Sequence, residues 1–314
     1  MARISVIMPV YNCEAYVSEA IESILGQKYK DFEFIILDDC SGDNSVKIIE
    51  SYRDNRIVLH PNEEKSYLSK TRNLGMLLAK GEFMAFMDSD DIALPNRFEK
   101  QIEYMEHHKE CSVVGSFVKS FTSSDKTSNR TIWNFPVSDE EIKVRFLYAN
   151  SILNPTAFLR TSVIRDCKIL NDENLETCED YDFWVNLIPY ADYHNISEPL
   201  LLYRINPQGM TQNSKSNYAS LLRRQEIIKK IHGKALENFG FLLTKSQLNL
   251  YNSVIGEGDW PRPDMDTFMS FKELINFLIE QYNGKLISPS AFKSGMEKMI
   301  LNISRRLGFI QNEG

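Results

Sequence analysis

Along residues 4–108, short apolar runs alternate with stretches whose apolar residues recur every three or four positions. Ile4 to Met8 is β-branched-rich and predicts a strand that ends at Pro9. Val17, Ala20, Ile21, Ile24 and Leu25 follow helical spacing, with Gly26 as a stop. Phe32 to Leu37 predicts a second strand, and Ser41, Asp43, Asn44 or Ser45 can cap the helix that runs through Ile49. Ile57 to Leu59 is a third strand. Ser69 to Ala79 predicts a helix with Leu74, Leu77 and Leu78 on its apolar face, stopping at Gly81. Phe83 to Met87 is a continuous apolar run that fits a strand buried on both faces. Pro95 suits the start of a helix that buries Phe98, Ile102 and Met105. This alternation predicts parallel strands joined by helices, a doubly wound α/β sheet.

Beyond residue 108 the pattern loosens. Ser112–Phe121, Thr156–Leu159 and Pro199–Tyr203 predict strands. Asp139–Tyr148 and the segment through Trp184 to Ile188 predict helices, and residues 122–131 read as a mobile loop. From about residue 215 only helices are predicted. One stripe is Phe271, Leu274, Ile275, Leu278, Ile279 and Tyr282; another is Met296, Met299, Ile300, Ile303 and Leu307. This reads as a helical accessory region, residues 215–314, packed on the core or on a partner, a second copy of the chain included.

Composition narrows the class. The 314 residues, 43% apolar and 25% charged, suit an ordinary globular protein. Five widely spaced cysteines without a CxxC pair predict reduced thiols in the cytoplasm, and they argue against a disulfide framework or a zinc site. No apolar run reaches the roughly 18 residues of a membrane span. Residues 1–214 carry 22 Lys and Arg against 33 Asp and Glu, a balance of −11 that disfavours nucleic acid. Residues 215–314 carry 14 against 10, and that +4 is compatible with peripheral contact to an anionic membrane surface.

Candidate chemistry lies at the strand ends. The central strand stops in Asp88-Ser89-Asp90-Asp91. Carboxylates crowded this way repel one another unless a cation or solvent relieves them. Magnesium-like ions are usually held by one or two carboxylates plus substrate phosphates, and open α/β sheets bind ligands at the carboxyl ends of their strands. The second strand ends in Asp38-Asp39, which can cap a turn or reach a nucleotide base. Glu179, Asp180 and Asp182 form a second acidic cluster at a helix start, where acids also suit the macrodipole. Neither GxGxxG nor GxxxxGK[ST] occurs, so no dinucleotide fingerprint or P-loop is present. Trp133 and Trp260 can stack on a sugar or pack internally. The histidines lack metal-ligand spacing.

SVIMPVYN, DDCSGDNS, SKTRNLG, GEFMAFMDSDD with LPNRFEKQ, and EDYDFW occur in order over residues 4 to about 206. Together they resemble the family 2 glycosyltransferases. The resemblance implies the GT-A (Rossmann-like) fold: a mainly parallel sheet flanked by helices, here with a C-terminal helical extension. It divides the chain into a glycosyltransferase domain, 1–214, and the accessory region; within the domain, 1–108 is the nucleotide-binding half and 109–214 the acceptor-binding half. It implies an inverting, metal-dependent transferase that moves a sugar from a nucleotide-diphosphate donor, UDP by default, to a saccharide or lipid-linked acceptor. The setting it implies is surface-polysaccharide synthesis at the cytoplasmic membrane face. Pro9, Val10 and Tyr11 should line the base, Asp39 should accept a hydrogen bond from it, and Arg72 should lie near the ribose or diphosphate. Asp88 and Asp90, spaced by Ser89, match the DxD segment that contacts donor and Mn²⁺ or Mg²⁺, with Asp90 preferred as ligand and Asp91 turned to the acceptor or the loop. Asp180, with Glu179 second, should be the catalytic base.

Two departures stand out. Relatives often carry Gly before the Ser of the SxxRN segment, where this chain has Tyr67-Leu68, and Asn206 stands where many have a His that can approach the metal. The alternative reading is a non-catalytic nucleotide-sugar-binding scaffold subunit of a polysaccharide-assembly complex.

Overall fold

The computed structural model describes residues 2–122, 131–206, 209, 218–256 and 262–310. The N-terminal half holds β1 (Ile4–Val10), α1 (Val17–Leu25), β2 (Phe32–Asp38), α2 (Ser45–Ser51), β3 (Ile57–Pro61), α3 (Tyr67–Leu78) and β4 (Phe83–Phe86). β3, β2, β1 and β4 lie side by side and pair in parallel, with Ile4 opposite Phe32 on one side and Phe83 on the other. Successive strand residues face opposite layers. Ile4, Val6, Met8 and Val10 join α1 in one core, while Ile7, Met84 and Phe86 join α3 in the other.

β1 runs through Pro9 instead of stopping there. Ile7 accepts from Met87 N on the β4 side, and Val10 accepts from Asp39 N on the β2 side. Pro9 therefore faces a side where β4 has already ended, so its missing N–H breaks no ladder bond. In α3 the expected apolar face holds in part: Leu74 and Leu78 pack against the core, but Leu77 is 70% exposed, and the buried residues are Ser69, Thr71, Arg72, Asn73, Gly75 and Met76. A Cβ at Gly75 would lie 2.4 Å from Ile7 Cγ2. Glycine lets α3 press against β1, with Arg72 one turn earlier on the same face.

The second half is β5 (Ile92–Ala93), α4 (Arg97–His107), β6 (Val113–Phe121), β7 (Thr131–Trp133), α5 (Asp139–Arg145), β8 (Phe158–Arg160), α6 (Thr161–Cys167), α7 (Glu179–Leu187) and β9 (Tyr193–Arg204). The sheet order is β3-β2-β1-β4-β8-β6-β9-β5, with β7 on β6. β8 is antiparallel to both β4 and β6, and β9 runs parallel to β6, so the sheet is mixed with a parallel N-terminal half. α4 buries Phe98, Ile102 and Met105 as expected. The loop expected over 122–131 lies almost wholly outside the described residues, as does Trp260. Trp133 packs against Tyr203 with ring centres 5.1 Å apart.

α8 (Tyr218–Asn238), α9 (Lys245–Ile255), α10 (Met265–Gln281) and α11 (Pro289–Leu307) complete the described chain. Their apolar stripes merge with the α3–α7 side of the core. Tyr251 Oη donates to Leu147 O (3.0 Å). Ser288, which caps α11, also reaches Glu140 from α5. Among the described residues no helix is long and apolar enough to cross a membrane. All five cysteines are free thiols.

Candidate active site

The site is assembled where β1, β2 and β4 end. After Met87 the chain turns, with Asp91 N bonded to Asp88 O (3.3 Å). The Cys13 thiol donates to Ser89 O (3.3 Å), and Arg204 Nε donates to Asp90 O (2.6 Å). Asp88, Ser89 and Asp90 are half-buried. Asn206 Nδ2 donates to Asp90 Oδ2 (3.1 Å). Asp91 faces neither acceptor nor loop; it is 1% exposed and accepts from Arg204 N at 2.8 Å. Its environment explains the inversion: two cationic side chains, Arg204 and Arg97, lie on that side of the turn. Burial, with Asp90 and Asp88 adding, pushes the Asp91 carboxyl well above the usual range.

Arg97 is fully buried beneath the turn, donating to Phe86 O (2.9 Å) and Ala157 O (3.3 Å). Burial pulls its guanidinium down to about 9, while Asp91 and Asp88 hold it charged. Its partner Gln101, one turn on, is buried too. A polar pair at i, i+4 on the stripe of Phe98 and Ile102 was the sequence signal for this buried charge, and reading only the apolar positions missed it.

Asp39 terminates β2 and starts α3. It is buried, and its carboxylate accepts from Asn62 Nδ2 (2.9 Å), Ser66 N (2.6 Å) and Tyr67 N (2.9 Å). A carboxylate at a helix N-terminus also meets the macrodipole favourably. Asp38 holds its turn through Ser41 N (3.1 Å). Pro9 and Val10 are buried, and Tyr11 is the residue of that trio that opens to solvent, at 46%.

Arg72, 2% exposed, joins the two acidic clusters. Its Nη1 lies 3.2 Å from Glu179 Oε1 and its Nη2 3.5 Å from Asp88 Oδ1. With the Asn154 amide oriented to accept, its oxygen lies 3.1 Å from Nη2 and 3.3 Å from Nε. The neighbouring Asn73 fixes the loop before α7, accepting from Asn171 N (2.9 Å) and donating to Asn171 O (3.0 Å). α7 begins after Cys178, whose φ is +59°. Asp180 accepts from Tyr181 N (2.8 Å) and from Asn150 Nδ2 (3.0 Å). Asn150 and Asn154 carried no sequence signal, since an isolated Asn reads as a loop residue.

The electrostatics follow from this crowding. Burial first, then the Glu179 charge, raises Asp180 to about 7, with Arg72 opposing. Burial raises Asp88 to about 6, with Arg72 opposing and Asp90 and Glu179 adding. A carboxylate that titrates near neutrality is suited to general-base work. Arg72 stands where negative charge must be balanced.

Residues 5–167 match the sequence profile described as glycosyl transferase family 2. An uncharacterized glycosyltransferase of Methanocaldococcus jannaschii is 33% identical over 245 residues, covering 75% of this chain and 81% of that protein. The Escherichia coli UDP-Glc:alpha-D-GlcNAc-diphosphoundecaprenol beta-1,3-glucosyltransferase WfaP is 28% identical over 236 residues, 75% of this chain and 89% of that one. Among solved structures, S. aureus TarS in complex with UDP-GlcNAc has the same fold, with a TM-score of 0.64 at 21% identity over 98% of this chain and 92% of that one. The matched profile and the relative at 33% identity place the chain: it is a glycosyltransferase and belongs to glycosyl transferase family 2.

Proposed function

We propose that this protein is an inverting, metal-dependent transferase that moves a sugar from a UDP-sugar to a saccharide or lipid-linked acceptor in surface-polysaccharide synthesis. The observation that carries the reading is the placement of Arg72 between Asp88 and Glu179, with Asp180 beside it. The donor's diphosphate belongs on the Asp88 side, and the acceptor hydroxyl belongs at Asp180. As the acceptor oxygen bonds to the anomeric carbon, its proton passes to Asp180 and the carbon–phosphate oxygen bond breaks on the opposite face. Configuration inverts and UDP leaves. A half-buried base raised to about 7 favours turnover over mere scaffold binding. The E. coli relative named for a UDP-Glc donor and a diphosphoundecaprenol-linked acceptor supports this substrate class, and peripheral attachment at the cytoplasmic membrane face agrees with such an acceptor.

Asp90 and Asp88 would hold the divalent ion. The donor set fits one: two half-buried carboxylates stand at the end of β4, close enough that the Asp90 charge raises Asp88. That is the provision expected for Mg²⁺ or Mn²⁺ completed by diphosphate and water. When bound, such an ion stabilises charge on the departing diphosphate as a Lewis acid. Asn206, already on Asp90, holds that carboxylate in place.

Calorimetric titration of UDP, GDP and dTDP with and without Mn²⁺, on wild type and Asp90→Ala, tests the proposal. UDP should bind best, depend on Mn²⁺, and weaken about tenfold or more in the variant, about 1.4 kcal/mol. Failure of all three nucleotides to bind would overturn it.

A further inference from the structure

Tyr67 is out of place by every structural measure. It opens α3 with φ of +62°, a left-handed backbone that side chains with a Cβ disfavour and glycine adopts freely. Its ring is 70% exposed, so it adds little to any core. A glycine would serve the backbone better, yet an aromatic ring is held outward there. Backbone strain of this kind gathers at functional sites. Here Asn12, Cys40, Tyr67 and Cys178, four of the five non-glycine residues with positive φ among those described, lie two residues beyond β1 and β2 or at the starts of α3 and α7.

What holds Tyr67 is the carboxylate of Asp39, which takes the N–H groups of Ser66 and Tyr67 on its two oxygens. Beside it lies a cation shared with a second open ring. The Lys65 ammonium lies 3.6 Å from the centre of the Tyr11 ring and 5.6 Å from that of Tyr67. Two exposed aromatic rings thus share one cation at the end of β1, and every nucleobase has a π-face that can stack on such rings.

We propose that Tyr67 is a donor-binding residue: its ring and that of Tyr11 form the walls of a slot that takes the nucleobase of the donor, which enters by displacing Lys65. Asp39 then acts on the base through the wall it positions, whatever direct bond it also makes. This rests on the nucleotide-sugar reading above and adds a residue to it.

The test is titration of UDP and of pyrophosphate, both with Mn²⁺, on wild type, Tyr67→Gly and Tyr67→Phe, beside thermal melts. Tyr67→Gly relieves the backbone, so its melting temperature should equal or exceed that of wild type. Its UDP affinity should nevertheless fall about tenfold or more, the scale of base–aromatic stacking, with pyrophosphate affinity unchanged. Tyr67→Phe should keep UDP affinity within about twofold, because stacking needs the ring and not the hydroxyl. Unchanged UDP affinity in Tyr67→Gly would overturn the slot while leaving the nucleotide site intact. A parallel loss of UDP and pyrophosphate would also overturn it, assigning Tyr67 to loop order. A wild type that binds no nucleotide removes the underlying reading, and this inference with it.

Discussion

The turn at Asp88–Asp91 and the helix start at Glu179–Asp182 each gather three carboxylates within four residues, but they are neutralised in different ways. At the turn, support comes from beneath and from the strands. Arg97 holds Phe86 O, Arg204 holds Asp90 O and the Asp91 carboxylate, and the Asp88 side chain remains 32% exposed. At the helix start, each carboxylate has a side-chain donor: Glu179 shares Arg72 with Asp88, Asp180 has Asn150, and Asp182 has Lys234 and Asn186. Of that set Lys234 comes from α8, which also holds α7 through Arg224 on Thr177 and Cys178 and Asn238 on Val185 O. Half-open carboxylates at a strand end are poised for an incoming counter-charge. A tethered one is poised to accept a proton in a fixed geometry. The two clusters resemble each other in sequence and divide the work in space.

The sharpest way to break that division is Asp180→Asn. If the helix cluster does the proton transfer and the turn does the binding, kcat should fall about 10²–10⁴-fold, the scale of general-base catalysis. UDP affinity should stay within about twofold. Single-turnover rates beside calorimetry give both numbers. A loss shared equally between rate and affinity would merge the two clusters into one.

Residues that meet through apolar contact were readable in the chain, and residues that meet through polar contact were not. α1 illustrates the first kind. Val17, Ala20, Ile21 and Ile24 are all buried, as their spacing predicts, because the helix packs on a purely apolar strand face. α3 illustrates the second. Its leucines mark only the edge of the buried face, since Arg72 and Asn73 turn inward to Glu179 and Asn171, 107 and 98 residues away. Hydrophobic periodicity records transfer from water, and it is silent on polar groups whose burial is balanced by partners distant in sequence. The same blindness sent Asp91 outward and left Arg97 as an ordinary helix start. The two acidic clusters themselves were legible, because carboxylates at this density are rare without a reason. The donors that tune them came from elsewhere in the chain.

Lys234 offers a smaller and more selective break. Asp182 is 1% exposed and Lys234 is 43% exposed, at 2.6 Å. Removing the cation strands a buried carboxylate, but solvent reaches the lysine end, so Lys234→Met should cost about 1–2 kcal/mol and not the full value of an enclosed pair. Urea melts read that loss. Because α7 carries Asp180, kcat should drop about two- to tenfold on the same scale of misplacement, with UDP affinity unchanged. Lys234→Arg should restore both. A fall in UDP affinity as large as the fall in kcat would mean that α8 supports the turn as well.

The subtlest difference is in pH. Asp180 is raised to about 7 by burial and by Glu179, above its ordinary value of 3.8. Its protonated form is therefore the one the fold prefers. The stability it contributes is complete below the unfolded value and is lost as pH rises through about 7. Asp180→Asn removes that loss, so metal-free melts should show the variant gaining on wild type at pH 8, with the gap closing toward pH 4. Asp88, raised to about 6, titrates in both proteins. The same proton governs the rate with the opposite sense. Turnover needs the ionised base, so wild-type kcat should fall as pH drops below about 7, where stability improves. Melts and rates that share one midpoint would tie both effects to Asp180. A melting difference that is flat from pH 5 to 8 would place the rate-controlling proton on another group, and Glu179 would then be the first to substitute.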